Sequence, residues 1–165
     1  VKIMNDQPAF RSGYVAIIGR PNVGKSTLIN RVLGQKLCIT SRRPQTTRHR
    51  ILGIKTTDTG QFIYVDTPGI HSDGKRAMNR YMNRAAAASV EDVDVVVFVV
   101  EGMKWTEEDE RVLQKLKETS KPVILVMNKI DKLEDKATLF PQVEKLAALY
   151  KFTEIWNLWK SRYIN

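Results

Sequence analysis

The nine residues Gly19-Arg20-Pro21-Asn22-Val23-Gly24-Lys25-Ser26-Thr27 constrain this chain more than any other stretch. They hold the spacing G-x-x-x-x-G-K-[ST], and the flanking residues supply the frame that this spacing needs. The run YVAIIG at 14–19 is apolar and rich in β-branched residues, which predicts a buried strand. Leu28, Ile29, Val32 and Leu33 then recur at helical spacing until Gly34 stops the pattern. A strand, a glycine-bearing turn and a helix in that order form a phosphate cradle. Gly19 and Gly24 let the backbone curl so that its N–H groups point inward, and the helix N-terminus adds partial positive charge. Lys25 is placed to reach the β- and γ-phosphates, and Ser26 to offer its hydroxyl to Mg²⁺. Asn22, Val23 and Thr27 complete the expected binding segment.

Two further boxes follow in the order that such a cradle requires. Asp66 ends the run FIYVD, 41 residues after Lys25. A carboxylate at the end of a strand beside a phosphate loop can hold Mg²⁺ directly or through water. Gly69, in DTPGIH, can bring its backbone N–H close to a γ-phosphate because no side chain intervenes. The third box is Asn128-Lys129-Ile130-Asp131, which closes the apolar run VILVM. Asp131 can accept two hydrogen bonds from the ring N–H and exocyclic amine of guanine, a donor pair that adenine lacks. Lys129 can lay its stem along the base, and Asn128 can tie this loop to the phosphate loop.

The rest of the chain predicts one α/β domain. ILGIKTT and QFIYVD flank a turn and read as a hairpin. Helices are expected over 75–89, 106–118 and 137–149, the second opened by a threonine cap and an acidic first turn. VDVVVFVV at 93–100 and PVILVMN at 122–128 read as buried strands. Strands alternating with helices give a mostly parallel central sheet with helices on both faces and one antiparallel edge strand from the hairpin. Ligands in such sheets sit at the C-terminal strand ends, where all three boxes fall. No run approaches the ~18 apolar residues of a membrane span. The single cysteine, Cys38, excludes an internal disulfide and a cysteine zinc site, and a reducing compartment is the default. The net charge of +9 is uneven: residues 1–90 carry 15 Lys and Arg against four Asp and Glu, and residues 91–165 carry 12 against 14. The basic half suits a polyanionic partner or a solvated face.

The three boxes together resemble those of the P-loop GTPases. LGQK, TSRRPQTTRHRI, YVDTPGIH and FVVEGMKWTEEDE narrow the resemblance to the GTP-binding domain of the bacterial Era-type ribosome-assembly GTPases, from about Tyr14 to Ile155. QTTRHR discriminates best among related families. The resemblance implies a P-loop NTPase fold, binding of GTP and GDP with Mg²⁺, and slow GTP hydrolysis in small-subunit assembly and rRNA maturation. It makes Thr47, or its neighbour Thr46, the switch threonine that closes over Mg²⁺, which suits a hydroxyl pair in a mobile loop. The catalytic group is then Lys25, Thr47, Gly69 and Asn22, and the metal group Ser26, Thr47 and Asp66. Ile70 stands where other GTPases carry a water-orienting glutamine and cannot hydrogen-bond through its side chain. In relatives with PNVGKS the asparagine matching Asn22 is associated with a bound K⁺, so K⁺ stimulation is expected. The resemblance also implies a cytoplasmic monomer that contacts the small ribosomal subunit and its rRNA, with peripheral inner-membrane association and no DNA partner.

The sequence departs from that family near its end. The expected organisation is an arm at 1–13, the GTP-binding domain at 14–155 and an atypical tail, WNLWKSRYIN, at 156–165. The family's Ser-Ala box, last helix and KH-type RNA-binding domain have no counterpart here, which leaves one sheet face expected to be partly uncovered. Trp156, Trp159 and Tyr163 fit either an amphipathic helix or a terminal strand. Three functions stay open: a GTPase switch, a GTP/GDP-binding module without significant turnover, and an RNA-binding fragment driven by the basic half. A related tRNA-modification GTPase fits QTTRHR less well.

Overall fold

The computed structural model describes residues 9–34, 50–66, 92–102, 104–132 and 136–157, without the side chains of Arg50, Asp66, Lys132 and Lys136. The elements are β1 (Arg11–Ile18), α1 (Lys25–Leu33), β2 (Arg50–Thr57), β3 (Gly60–Asp66), β4 (Val95–Glu101), α2 (Glu107–Leu116), β5 (Val123–Asn128), α3 (Leu139–Leu149) and β6 (Glu154–Asn157). Short 3₁₀ turns at Ile130–Lys132 and Lys136–Thr138 lead from β5 into α3. The helix expected over 75–89 and the basic loop before β2 lie outside the described residues.

The strands form one sheet in the order β2-β3-β1-β4-β5-β6. Every neighbouring pair is parallel except β2 with β3. The exception has a local cause: the turn at Asp58 and Thr59 joins β2 to β3 directly, and the Thr57 hydroxyl donates to the Gly60 carbonyl at 3.1 Å. So short a connection permits only antiparallel pairing. Parallel neighbours need long crossovers, and α1, α2 and α3 lie in those that follow β1, β4 and β5. The first strand lies inside the sheet, with β3 on one side and β4 on the other. The chain therefore reverses its winding at the C-terminal end of β1, where the phosphate loop begins.

Alternation along the inner strands sorts the core into two layers. Ala16 and Ile18 of β1, Val96, Phe98 and Val100 of β4, and Val123, Leu125 and Met127 of β5 pack with Val112, Leu113 and Leu116 of α2 and Leu146 of α3. Ile17, Val99 and Val126, the intervening residues, pack with Val23 and with Ile29 and Leu33 of α1. Strands covered on both faces must be apolar at both parities, which is why β4 and β5 read as unbroken runs. Helices thus lie on both faces. On the α1 face Val97 and Ile124 keep partial exposure, whereas their neighbours facing α2 and α3 are buried. The fold is α/β, a mostly parallel sheet with one antiparallel edge strand, as expected for a P-loop NTPase.

Two ends differ from the sequence expectation. β1 starts at Arg11, three residues early, because Arg11 continues the parallel register opposite Gly60. The sheet also runs on to Asn157, past residue 155, since Trp156 and Asn157 pair beside Val126 and Met127. A strand therefore takes the first two residues of the expected tail. α2 opens as its sequence predicts: Thr106 N–H donates to Asp109 Oδ2 at 3.0 Å and Asp109 N–H to Thr106 Oγ1 at 3.5 Å. This is a capping box with Asp in the third position.

Leu113 is fully buried between α2 and the sheet, whereas Phe140 on α3 is 74% exposed. Leu113→Ala is expected to lower unfolding free energy by about 2–5 kcal/mol, and Phe140→Ala by under ~0.5 kcal/mol, in urea denaturation.

Candidate nucleotide site

At the C-terminal rim of the sheet, the loop after β1 wraps from Gly19 to Gly24. Both glycines adopt positive φ, 145° and 103°. A Cβ on Gly19 would collide with the Val99 carbonyl, and one on Gly24 with the Asn128 amide. Only glycine meets both demands, of conformation and of space. Lys25 Nζ folds back and donates to the carbonyls of Gly19 at 2.7 Å and Arg20 at 2.8 Å. The ammonium is thereby held over the loop's own mouth. Asn22 is exposed with φ 62°, a left-handed conformation that asparagine tolerates.

The starts of α1 and α2 contrast, and α3, away from the loop, resembles α1 in lacking a first-turn acid and a side-chain cap. α2 has four acidic residues in its first turn and a side-chain cap. α1 has no acidic residue in its first turn and no side-chain cap, and Gly24 stands at its N-cap. Its first N–H groups, with the exposed hydroxyls of Ser26 and Thr27 beside them, suit an anion.

The base-reading box meets this loop directly. Asn128 ends β5, and its Nδ2 donates to the Val23 carbonyl at 2.8 Å, across 105 residues of sequence. Gly102 N–H donates to the Asn128 carbonyl at 2.8 Å, so the end of β4 braces the same residue. Lys129 follows with φ 58°, a left-handed backbone rare for lysine. Asp131 lies in the 3₁₀ turn with its carboxylate exposed. The backbone of Asp66 lies at the end of β3 opposite Ile17, two residues ahead of Gly19. Its side chain, and Thr46, Thr47, Gly69 and Ile70, lie outside the described residues.

A charged cluster under the phosphate loop was not anticipated from the sequence. Arg20, nearly buried, donates from Nη2 to Glu101 Oε2 at 2.8 Å and from Nε to Asp109 Oδ2 at 3.1 Å. Lys129 Nζ lies 3.5 Å from the same Glu101 oxygen. Asp109 is fully buried, so one carboxylate caps α2 and anchors the loop at once. The only sequence signal was a capping acid inside a helix that otherwise buries leucine and valine.

Comparison with known proteins fits this geometry. A family model described as 50S ribosome-binding GTPase matches residues 14–129. The chain belongs to this GTPase family. Within the family, it is 62% identical over 143 residues to the GTPase Era of Pseudomonas syringae pv. tomato, covering 87% of this chain and 48% of that protein. The Era of Marinobacter nauticus is 61% identical over 150 residues, 91% of this chain and 49% of that one. The chain therefore spans about half the length of the curated relatives it matches. A crystal structure of an Aquifex aeolicus Era variant bound to GDP·AlF4⁻ superimposes with TM-score 0.72 at 40% identity, covering 89% of this chain and 50% of that one. An Era complex with MgGDPNP and nucleotides 1506–1542 of 16S ribosomal RNA gives the same values. Over that half, the chain is similar to the Era-type members of the family.

The Arg20 guanidinium beside Glu101 holds that carboxyl below its ordinary 4.5, with Lys129 adding to the effect and burial opposing it. Folding therefore favours ionised Glu101. The stability this gives is fully present above pH 4.5 and is lost as pH falls through the lowered folded value. In urea titrations from pH 6 down to about 3, Glu101→Gln is expected to lack this part of the wild-type acid slope, so that the stability gap between the two is full above pH 4.5 and narrows below it.

Proposed function

We propose that this chain binds GTP and GDP with Mg²⁺ and hydrolyses GTP slowly, as the switch domain of a protein acting in small-ribosomal-subunit assembly and rRNA maturation. The observation that carries this is the Asn128–Val23 hydrogen bond, which joins the base-reading box to the phosphate loop at one rim. The two relatives' structures with GDP·AlF4⁻ and MgGDPNP support the same ligand class.

In this mechanism Gly19, Asn22, Val23, Gly24, Lys25, Ser26 and Thr27 hold the phosphates through backbone N–H groups and the Lys25 ammonium. Asn128, Lys129 and Asp131 hold the base, with Asp131 accepting from guanine. Ser26, Asp66 and Thr47 are the metal ligands by role. Ser26 is exposed at the start of α1, and the backbone of Asp66 ends the strand beside β1, a donor set of hard oxygens that suits Mg²⁺. Bound Mg²⁺ neutralises charge on the β- and γ-phosphates. Lys25 stabilises charge that develops as the γ-phosphate departs, and the Gly69 N–H adds a donor to it. With Ile70 in the glutamine position, no side chain there orients water, which leaves charge neutralisation as the source of rate. Asn22 would hold a K⁺, which would supply further positive charge beside the phosphates.

The rRNA partner follows from the relative crystallised with 16S ribosomal RNA and from the basic excess in residues 1–90. A cytoplasmic setting follows from that role, and no helix among the described residues is long and apolar enough to cross a membrane. Peripheral membrane association and a monomeric state rest on the family resemblance.

Fluorescent-nucleotide titrations in Mg²⁺ are expected to show GDP and GTP bound at least about 100-fold more tightly than ADP, with Asp131→Ala erasing most of the difference. Equal affinity for adenine and guanine nucleotides would reject the assignment. Single-turnover GTP hydrolysis is expected to run faster in K⁺ than in Na⁺ at matched ionic strength, and Asn22→Ala to remove the difference. A rate indifferent to the cation rejects the K⁺ role, and no turnover in either salt leaves a binding module.

A further inference from the structure

Glu101 lies at the end of β4, between the two nucleotide loops, and belongs to none of the three boxes. Its Oε2 accepts from Arg20, the second residue of the phosphate loop, at 2.8 Å and faces Lys129 Nζ, of the base-reading box, at 3.5 Å. The next residue, Gly102, donates its N–H to the Asn128 carbonyl. The last residue of β4 and the one after it thus grip two consecutive residues of the box, one through charge and one through the backbone. Arg20 is fixed in turn by buried Asp109 at 3.1 Å, so the cluster stands on the N-terminus of α2.

Lys129 is where such a grip matters. A free lysine side chain loses rotamer freedom when a ligand fixes it. Its backbone is also held at φ 58°, outside the conformations lysine ordinarily takes, and surrounding contacts must maintain that. Tethering the ammonium to Glu101 fixes the methylene stem before any base arrives. We propose that Glu101 is a positioning residue for guanine nucleotide, acting through Lys129 and Arg20 to hold the base-reading and phosphate loops as one preorganised cradle. This rests on the nucleotide-binding function proposed above.

The test is a double-mutant cycle on affinity for fluorescent GDP in Mg²⁺ at pH 7.5, using the whole chain. Glu101→Gln and Lys129→Met are each expected to weaken binding about tenfold, and the double variant to lose clearly less than the product of the two, the Arg20 contact accounting for any loss beyond the poorer single. A merely structural Glu101 would give losses that multiply, because damage to the fold adds to loss of the Lys129 contact. Glu101→Asp, which keeps the charge, is expected to retain more affinity than Glu101→Gln. Melting curves of each ligand-free variant report folding. Should Glu101→Gln fail to fold, the Asp variant carries the cycle with Lys129→Met. Multiplying losses, or Glu101 variants within twofold of wild type, overturn the inference while wild-type GDP binding keeps the parent function standing. A wild-type chain that does not bind GDP overturns both.

Discussion

One hydrogen bond holds the working end of this molecule together: the Asn128 amide to the Val23 carbonyl. It joins the ends of β5 and the loop after β1, two segments that do not pair with each other in the sheet. Its donor occupies the space that a side chain at position 24 would need. Gly24 is therefore required twice, by the curl of the phosphate loop and by the approach of the amide. The sheet supplies the distance between these segments, and β4, lying between β1 and β5, sets it. A single strand acts as a spacer between the phosphate-binding and base-binding halves.

That spacer is also where charge is concentrated. Arg20, Glu101, Asp109 and Lys129 bring two cations and two anions together below the loop. Burying such groups is costly unless each finds a partner, and removing one leaves another stranded. Asp109 answers part of that cost by serving α2's first turn as well as Arg20. The cap of a helix and the floor of a binding loop share one carboxylate.

Much of this was legible in the sequence, and the limits have physical causes. The phosphate loop could be read because its chemistry is local: glycine, lysine and serine at fixed offsets between a strand and a helix. The double-sided burial of β4 and β5 showed as unbroken apolar runs. The hairpin showed through its turn, and the link from Asn128 to the phosphate loop through its place in the third box. Arg20 drew no reading of its own from the sequence, because nothing local tells which acids will face it. Its partners lie 81 and 89 residues away. Asp109 could be read as a cap, but not as the anchor of a loop on another element. Trp156 satisfied helical and strand spacing alike, and pairing with β5 decided it. Propensity could not settle what a neighbouring strand's unpaired edge settled.

The interior position of β1 has a consequence for how the chain comes into being. Synthesis releases β1 first, yet its partners follow much later: the β1–β4 junction at Tyr14 and Asp94 spans 80 residues. Until β4 emerges, an apolar strand waits with one edge open and its loop shapeless, since Asn128 has yet to be made. Closing such distant pairs is slow relative to local structure. A strand made before its partners thus gains its second neighbour only with β4 and its shaped loop only with β5, and until then the nascent chain carries an open apolar edge.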